Sequence, residues 1–353
     1  MSRILMKGND AVGAGAIAAN CRFYYGYPIT PQNEIGEYMS NEMPRAGGVF
    51  IQAESEIAAI NMVYGSAATG VRVMTSSSGP GISLKMEGIS YIAGAELPCV
   101  IVNMMRGGPG LGNIAPSHSD YFQATKGGGH GDYRLIVLAP SSVQEIYDFT
   151  RMAFYLSDKY RNPAMILGDG FMGQMMEVVE KPDNKEDDEY AKAPEKPWAV
   201  TGCKDRERNI ISTLLLDPDA LEAHNWKLYE KYKLIAENEK RVDLYYTEDA
   251  EILLVSFGIA SRICKEAVEK ARQEGIKAGL IRPITLWPFP DHVFNDLRGV
   301  KGILTVEMNT GQMLEDVKLS VNDRVPVEFH GRPGGSLPDS SAILEEIKKI
   351  GGR

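Results

Sequence analysis

Short apolar runs of strand-forming residues alternate with helical patterns along nearly the whole of this chain, and no other feature limits its fold as closely. The order is a helix over 9–20, a strand over 22–27, a helix from 31, a strand at GVFIQA and a helix through EIAAINMVYG. A strand at VRVMTSS, a helix from Ile82, strands at PCVIVNM and RLIVLAP, a long helix from Ser142 and a strand at AMILGD follow. Such a rhythm belongs to a parallel sheet covered on both faces, so residues 1–172 are expected to form one doubly wound α/β domain. The composition then shifts to EKPDNKEDDEYAKAPEKP, charged and proline-bearing, within a stretch from 173 to 215 that reads as a surface crossing. DPDALEAHNWKLYEKYKLIAENEKRV reads as a connecting helix, making 173–246 a linker. A second alternation, from AEILLVSFG through SRICKEAVEKARQEG, KAGLIRP, GILTVEM and a helix from Thr310 to PVEFHG, marks a smaller α/β domain over 247–353.

Composition narrows the function classes. Acidic side chains outnumber basic ones 47 to 38, for a formal charge of −9, and no Lys and Arg cluster is interleaved with aromatics, which argues against nucleic acid as a partner. No stretch approaches the roughly 18 uninterrupted apolar residues of a membrane span, and MSRILMKGNDAVG lacks the apolar core of a signal peptide. A soluble, cytoplasmic protein is expected. Cys21, Cys99, Cys203 and Cys264 are far apart in sequence, as are the five histidines, so no iron–sulfur, zinc or other metal site of conventional spacing is visible.

Five stretches could carry chemistry. In GYPITPQNEI, Thr30 is placed to cap a helix whose first residue is Pro31, and the same turn would aim its hydroxyl into the crevice at the carboxyl end of a parallel sheet. In AESEIAAINMVYG, Glu54 and Glu56 either complement a helix macrodipole or supply a desolvated carboxyl suited to proton exchange with a cofactor nitrogen. Glycine-rich loops at 75–84 and 105–113 follow strands, a position that tight turns alone would explain. Arg106 opens the second loop, where a guanidinium can hold a carboxylate through two hydrogen bonds, although a surface arginine fits as well. KGGGHGDYR, at 126–134, reads as a flexible binding or interface loop. LGDG, at 167–170, opens like a thiamine-diphosphate metal motif, but Asn184 lies too near and Asn209 too far to complete it, so it is read as a turn.

Taken in order, YPITP, SEIAAINMVYG, TSSSGPG, VNMMRGG, SHSDYFQ, LIRPITLWPFP and VEMNTGQM resemble the alpha-type subunit of the 2-oxoacid:ferredoxin oxidoreductases nearly end to end. RGGPGLGN and KGGGHGDYR look most like the 2-ketoisovalerate, branched-chain subtype. The resemblance implies a thiamine-diphosphate pyrimidine-type domain followed by a transketolase C-terminal-like domain. It implies oxidative decarboxylation of a 2-oxo acid with coenzyme A, giving acyl-CoA, carbon dioxide and reduced ferredoxin. Glu56, rather than Glu54, matches the glutamate that hydrogen-bonds the pyrimidine ring, with Pro28 and Ile29 beside the cofactor. Thr30 matches the threonine that faces the substrate, and Arg106 the arginine that holds its carboxylate. Magnesium and the diphosphate would be held by a beta-type partner subunit, and a gamma-type subunit and a ferredoxin-like iron–sulfur subunit would complete an assembly that reduces external ferredoxin.

Overall fold

The computed structural model describes residues 2–182 and 188–352. Strand β1 (Ser2–Lys7) leads into α1 (Gly8–Ala18), and the alternation follows as β2 (Phe23–Gly26), α2 (Asn33–Arg45), β3 (Val49–Gln52), α3 (Glu56–Ala68), β4 (Val73–Ser77), α4 (Pro80–Gly94) and β5 (Val100–Met105). Next come α5 (Tyr121–Thr125), β6 (Ile136–Leu138), α6 (Val143–Tyr160), β7 (Ala164–Asp169), α7 (Gly170–Gln174) and β8 (Met176–Lys181). Helix α8 (Pro218–Asn238) connects to β9 (Val242–Tyr245), β10 (Ile252–Val255), α9 (Gly258–Gln273), β11 (Ala278–Pro283) and β12 (Thr285–Trp287). The chain ends with β13 (Gly302–Glu307), α10 (Gln312–Val321), β14 (Val327–Gly331) and α11 (Ser340–Gly351).

Seven strands form the larger sheet, in the order β12-β6-β7-β5-β4-β2-β3, and five the smaller, in the order β14-β13-β10-β11-β9. Both are parallel except at one edge, where β12 and β9 run antiparallel to their neighbours. The central strands VMTSS, VIVNMM and AMILGD are buried throughout, as a sheet covered on both faces requires. One core contains Ala59, Ile60 and Val63 of α3 with Ile82 and Ile89 of α4, and continues through Tyr121 to Val317 of α10. A second packs α1, α2 and α6 on the opposite face of the larger sheet, and a third packs α9 and α11 on the smaller one. The two sheets therefore share a core rather than merely touching.

Polar contacts fix the same junction. Asn309 Nδ2 donates to the His118 carbonyl at 3.0 Å, and Gln312 Nε2 to the Ser119 carbonyl at 2.8 Å. Tyr121 donates its hydroxyl proton to Asp316 at 2.6 Å. Arg282 makes a two-pronged contact with Glu145, at 2.7 and 3.0 Å. The motifs SHSDYFQ and VEMNTGQM are thus the two halves of one docking surface. Buried Glu307 accepts the Met313 and Leu314 amides at the start of α10, and desolvation raises its carboxyl above the ordinary range.

Three expectations need correction. The stretch from 173 to 215 is not all surface crossing: Met176–Lys181 forms β8, antiparallel to β1, and Arg72 straps the following segment down through the Tyr190 and Lys192 carbonyls. Residues 183–187 of that stretch lie outside the described residues. The LGDG segment is not a turn, because Gly168 and Asp169 end β7 and Asp169 caps α7 by accepting the Phe171 and Met172 amides. Finally, LIRPITLWPFP splits between sheets, with β11 in the smaller and β12 crossing to the edge of the larger.

Candidate active site

The carboxyl ends of β2, β4 and β5 bring YPITP, the serine-rich turn and Arg106 to one edge of the larger sheet. Arg106 follows β5 directly and is buried. Its Nη1 donates to the Thr30 carbonyl at 2.9 Å and its Nη2 to the Leu111 carbonyl at 3.3 Å, while its Nε meets no acceptor among the described residues. Gly79 passes so close that a Cβ there would lie 3.2 Å from Arg106 Nε, and its φ of 48° is one that glycine adopts without strain.

Thr30 is not the helix cap. Helix α2 begins at Asn33, Pro31 lies ahead of it, and the Thr30 hydroxyl makes only a 3.4 Å contact with Asn33 Nδ2. The cause is the turn's attachment elsewhere: Asn9 and Gln174 both donate to the Pro31 carbonyl, at 2.9 and 3.2 Å, and buried Gln32 accepts a hydrogen bond from Ser76. Gln32, which the sequence reading passed over, is the side chain that ties YPITP to β4. Pro28 is exposed and Ile29 half-buried, so this part of the turn offers apolar surface.

Glu56 opens α3 behind the Ser55 cap, which accepts the Ala58 amide, and it is buried, whereas Glu54 is exposed. Among the described residues its carboxylate has neither a hydrogen bond nor an ion pair, which leaves it open to a further group. It leans on the first turn of α4: a Cβ on Gly81 would come within 2.6 Å of Glu56 Oε1 and 2.2 Å of Ser77 Oγ. The Ser77 and Ser78 hydroxyls are likewise buried without partners among the described residues. Lys85, one turn further along α4, is fully buried and donates to Thr75 Oγ1 at 2.5 Å. It too escaped the sequence reading, although a lysine inside the apolar run of ISLKMEGI is an available signal.

A cavity of about 580 Å³ beside these residues is lined by Gly79, Ser83, Arg106, Asp120, Asn309 and Gln312, so both sheets contribute to it. Asp120, bonded to Asn103, has its carboxyl raised by burial. A second cavity of about 330 Å³ lies against Tyr27, Pro28 and Gln32. A larger concavity, of about 900 Å³, lies elsewhere, along Leu221, Trp226 and Tyr229 of α8. The 126–134 loop folds onto Tyr133, whose hydroxyl accepts the Gly128 and Gly129 amides. Among the described residues no three His, Cys, Asp or Glu side chains are grouped to hold a metal, and the four cysteines stand free. No helix of the described residues is long and apolar enough to cross a membrane.

Residues 14–242 match the model of the thiamine-diphosphate-binding region of pyruvate flavodoxin/ferredoxin oxidoreductases, and residues 250–343 that of pyruvate:ferredoxin oxidoreductase core domain II. The chain is 53% identical to the ketoisovalerate oxidoreductase subunit VorB of Methanothermobacter marburgensis, over 100% of this chain and 99% of that one. It is 40% identical to the 2-oxoglutarate synthase subunit KorA of the same organism, over 97% of each. The 2-oxoglutarate:ferredoxin oxidoreductase of Magnetococcus marinus, solved with 2-oxoglutarate, coenzyme A and succinyl-CoA bound, superposes with a TM-score of 0.90 at 27% identity. That match covers 99% of this chain and 65% of the other. An inactive split-gene transketolase chain shares the fold alone, with a TM-score of 0.59 at 12% identity. With both of its halves matched and a full-length relative at this identity, the chain belongs to the family of the pyruvate flavodoxin/ferredoxin oxidoreductases.

Proposed function

We propose that this chain is the pyrimidine-side subunit of a thiamine-diphosphate-dependent oxidoreductase that decarboxylates 3-methyl-2-oxobutanoate and related branched-chain 2-oxo acids, passing electrons to ferredoxin and the acyl group to coenzyme A. The observation that carries it is the buried, unpartnered Glu56 carboxylate against Gly81, at the sheet edge that also presents Arg106. Family membership supports the chemistry, and the 53% likeness to a ketoisovalerate oxidoreductase subunit, against 40% for a 2-oxoglutarate synthase subunit, supports the substrate class.

Bound thiamine diphosphate would supply the carbon nucleophile and the electron sink for loss of carbon dioxide. Glu56 would hold a pyrimidine ring nitrogen through its free carboxylate, with Pro28 and Ile29 beside the ring. Arg106, oriented by its bonds to the Thr30 and Leu111 carbonyls, would pair the substrate carboxylate, and the Thr30 hydroxyl would face the reacting carbonyl. Asp169 is committed to the α7 amides, so a beta-type partner subunit would hold the diphosphate and magnesium. The scattered cysteines leave the iron–sulfur clusters to a ferredoxin-like subunit, with a gamma-type subunit completing the assembly. Residues 1–172, 173–246 and 247–353 are the corresponding pyrimidine-type domain, linker and transketolase C-terminal-like domain, and the cytoplasm is the compartment. Ferredoxin reduction by the purified complex with a panel of 2-oxo acids and coenzyme A tests this. A branched-chain preference supports it, whereas a preference for 2-oxoglutarate would reassign the substrate.

A further inference from the structure

Helices α3 and α4 approach closely along a seam where two glycines of α4 face side chains of α3. On α4 the seam is Gly81, Lys85 and Gly88, spaced so that all three share one face. Opposite stand Glu56 and Ile60, one turn apart on α3. A Cβ on Gly81 would come within 2.6 Å of Glu56 Oε1, and one on Gly88 within 2.5 Å of Ile60, so the backbone of α4 lies directly on these two side chains. Lys85 occupies the only long position of that stripe and is fully buried. Its ammonium donates to Thr75 Oγ1 and, at 3.4 Å, to the Ser76 carbonyl. Neither partner carries a charge, so a cation is held here without an ion pair.

We propose that Lys85 is a positioning residue, a buried charge that acts on the Glu56 carboxylate across the α3–α4 seam without bonding it. The inference rests on the assignment of Glu56 as the residue that meets the cofactor. The titratable groups whose charge acts on Lys85 are Glu56 and Cys99. Burial pushes the Cys99 thiol up to about 12, so it is uncharged near neutral pH and Glu56 remains as the opposing charge. Burial draws the Lys85 amine down to about 7, against the pull of Glu56. A counter-charge that is itself poised near neutrality makes the charge balance around Glu56 depend on pH in the physiological range.

The test uses the full chain for stability and the assembled complex for rates. The folded chain binds the Lys85 proton more weakly than the unfolded chain does, so wild-type stability is expected to climb relative to Lys85→Met as pH rises from about 7 toward the ordinary lysine value of 10.5. In a Glu56→Gln background that climb should begin about one pH unit lower, because the favourable charge is gone. In the complex, Lys85→Met should displace the pH profile of kcat/KM by about one unit, since methionine keeps the bulk and removes the charge. An onset unmoved by Glu56→Gln, or a loss of rate that is equal at every pH, would overturn the proposal. The stability arm needs no turnover, so a complex inert toward every 2-oxo acid would count against the functional assignment and leave the Lys85 and Glu56 coupling to be judged by the melts. Should Lys85→Met not fold, Lys85→Gln takes its place in both arms.

Discussion

Arg106 donates from Nη1 to the backbone carbonyl of Thr30 at 2.9 Å, joining the end of β5 to the YPITP turn that follows β2. The bond leaves Nε free while fixing the guanidinium plane, so the residue is ordered before any ligand arrives. Replacing Arg106 with Ala is expected to cost about 2–4 kcal/mol in kcat/KM, and Arg106→Lys should not restore it, because a lysine ammonium is a compact point charge without the planar fork that spans the Thr30 and Leu111 carbonyls and presents paired donors to a carboxylate. Steady-state kinetics on both variants check this. An Arg106→Ala enzyme within twofold of wild type for every 2-oxo acid tried would place the carboxylate on another group.

Thr30 separates a helix role from a substrate role. Because α2 starts at Asn33 and the Thr30 hydroxyl caps none of its amides, making only the long, exposed contact with Asn33 Nδ2, Thr30→Val should leave stability within about 0.5 kcal/mol of wild type. It should nonetheless lower kcat/KM by about 1–2 kcal/mol if the hydroxyl faces the substrate. Thermal melts run beside the kinetics distinguish this from a capping loss, which would take about 1 kcal/mol of stability.

Asn309 bears on the union of the two sheets. Its side chain bonds the His118 carbonyl, Glu307 and the Gly311 amide, all at 3.0 Å or less. Asn309→Ala should destabilise the chain by about 2–4 kcal/mol, with earlier proteolytic cleavage around 117–126. An unchanged urea midpoint would show that the apolar core alone holds the junction.

The isolated chain should be inactive and show no saturable thiamine diphosphate binding below roughly millimolar concentration, a free energy near −4 kcal/mol. Asp169 is committed to α7, and among the described residues no three His, Cys, Asp or Glu side chains are grouped to hold the magnesium that would bridge to a diphosphate. Calorimetry on the single chain checks this, and tight stoichiometric binding would contradict it.

Much of this was legible in the sequence because parallel strands buried on both faces leave an unbroken apolar trace, as VRVMTSS and PCVIVNM do. The YPITP turn was found but misread. Pro31 after Thr30 looks like a helix start, and only the long-range bonds from Asn9 and Gln174 to the Pro31 carbonyl explain why the helix waits until Asn33. Strands β1 and β8 escaped because a mostly exposed two-stranded ribbon, SRILMK against MEVVEK, offers apolar runs of only three and two residues, too short to mark a strand. The crossing of β12 into the larger sheet also has no local signature, since three residues of strand depend entirely on what lies beside them.

The central claim, that Glu56 serves the cofactor, is tested most directly by ferredoxin reduction in the assembled complex with 3-methyl-2-oxobutanoate and coenzyme A. Wild type, Glu56→Gln and Glu54→Gln are compared at equal cofactor loading. The buried, unpartnered Glu56 should lose roughly 100- to 10,000-fold in kcat on becoming glutamine, while the exposed Glu54 should change little and all three complexes remain assembled. Equal losses in the two variants, or a Glu56→Gln complex that turns over within twofold of wild type, would contradict it.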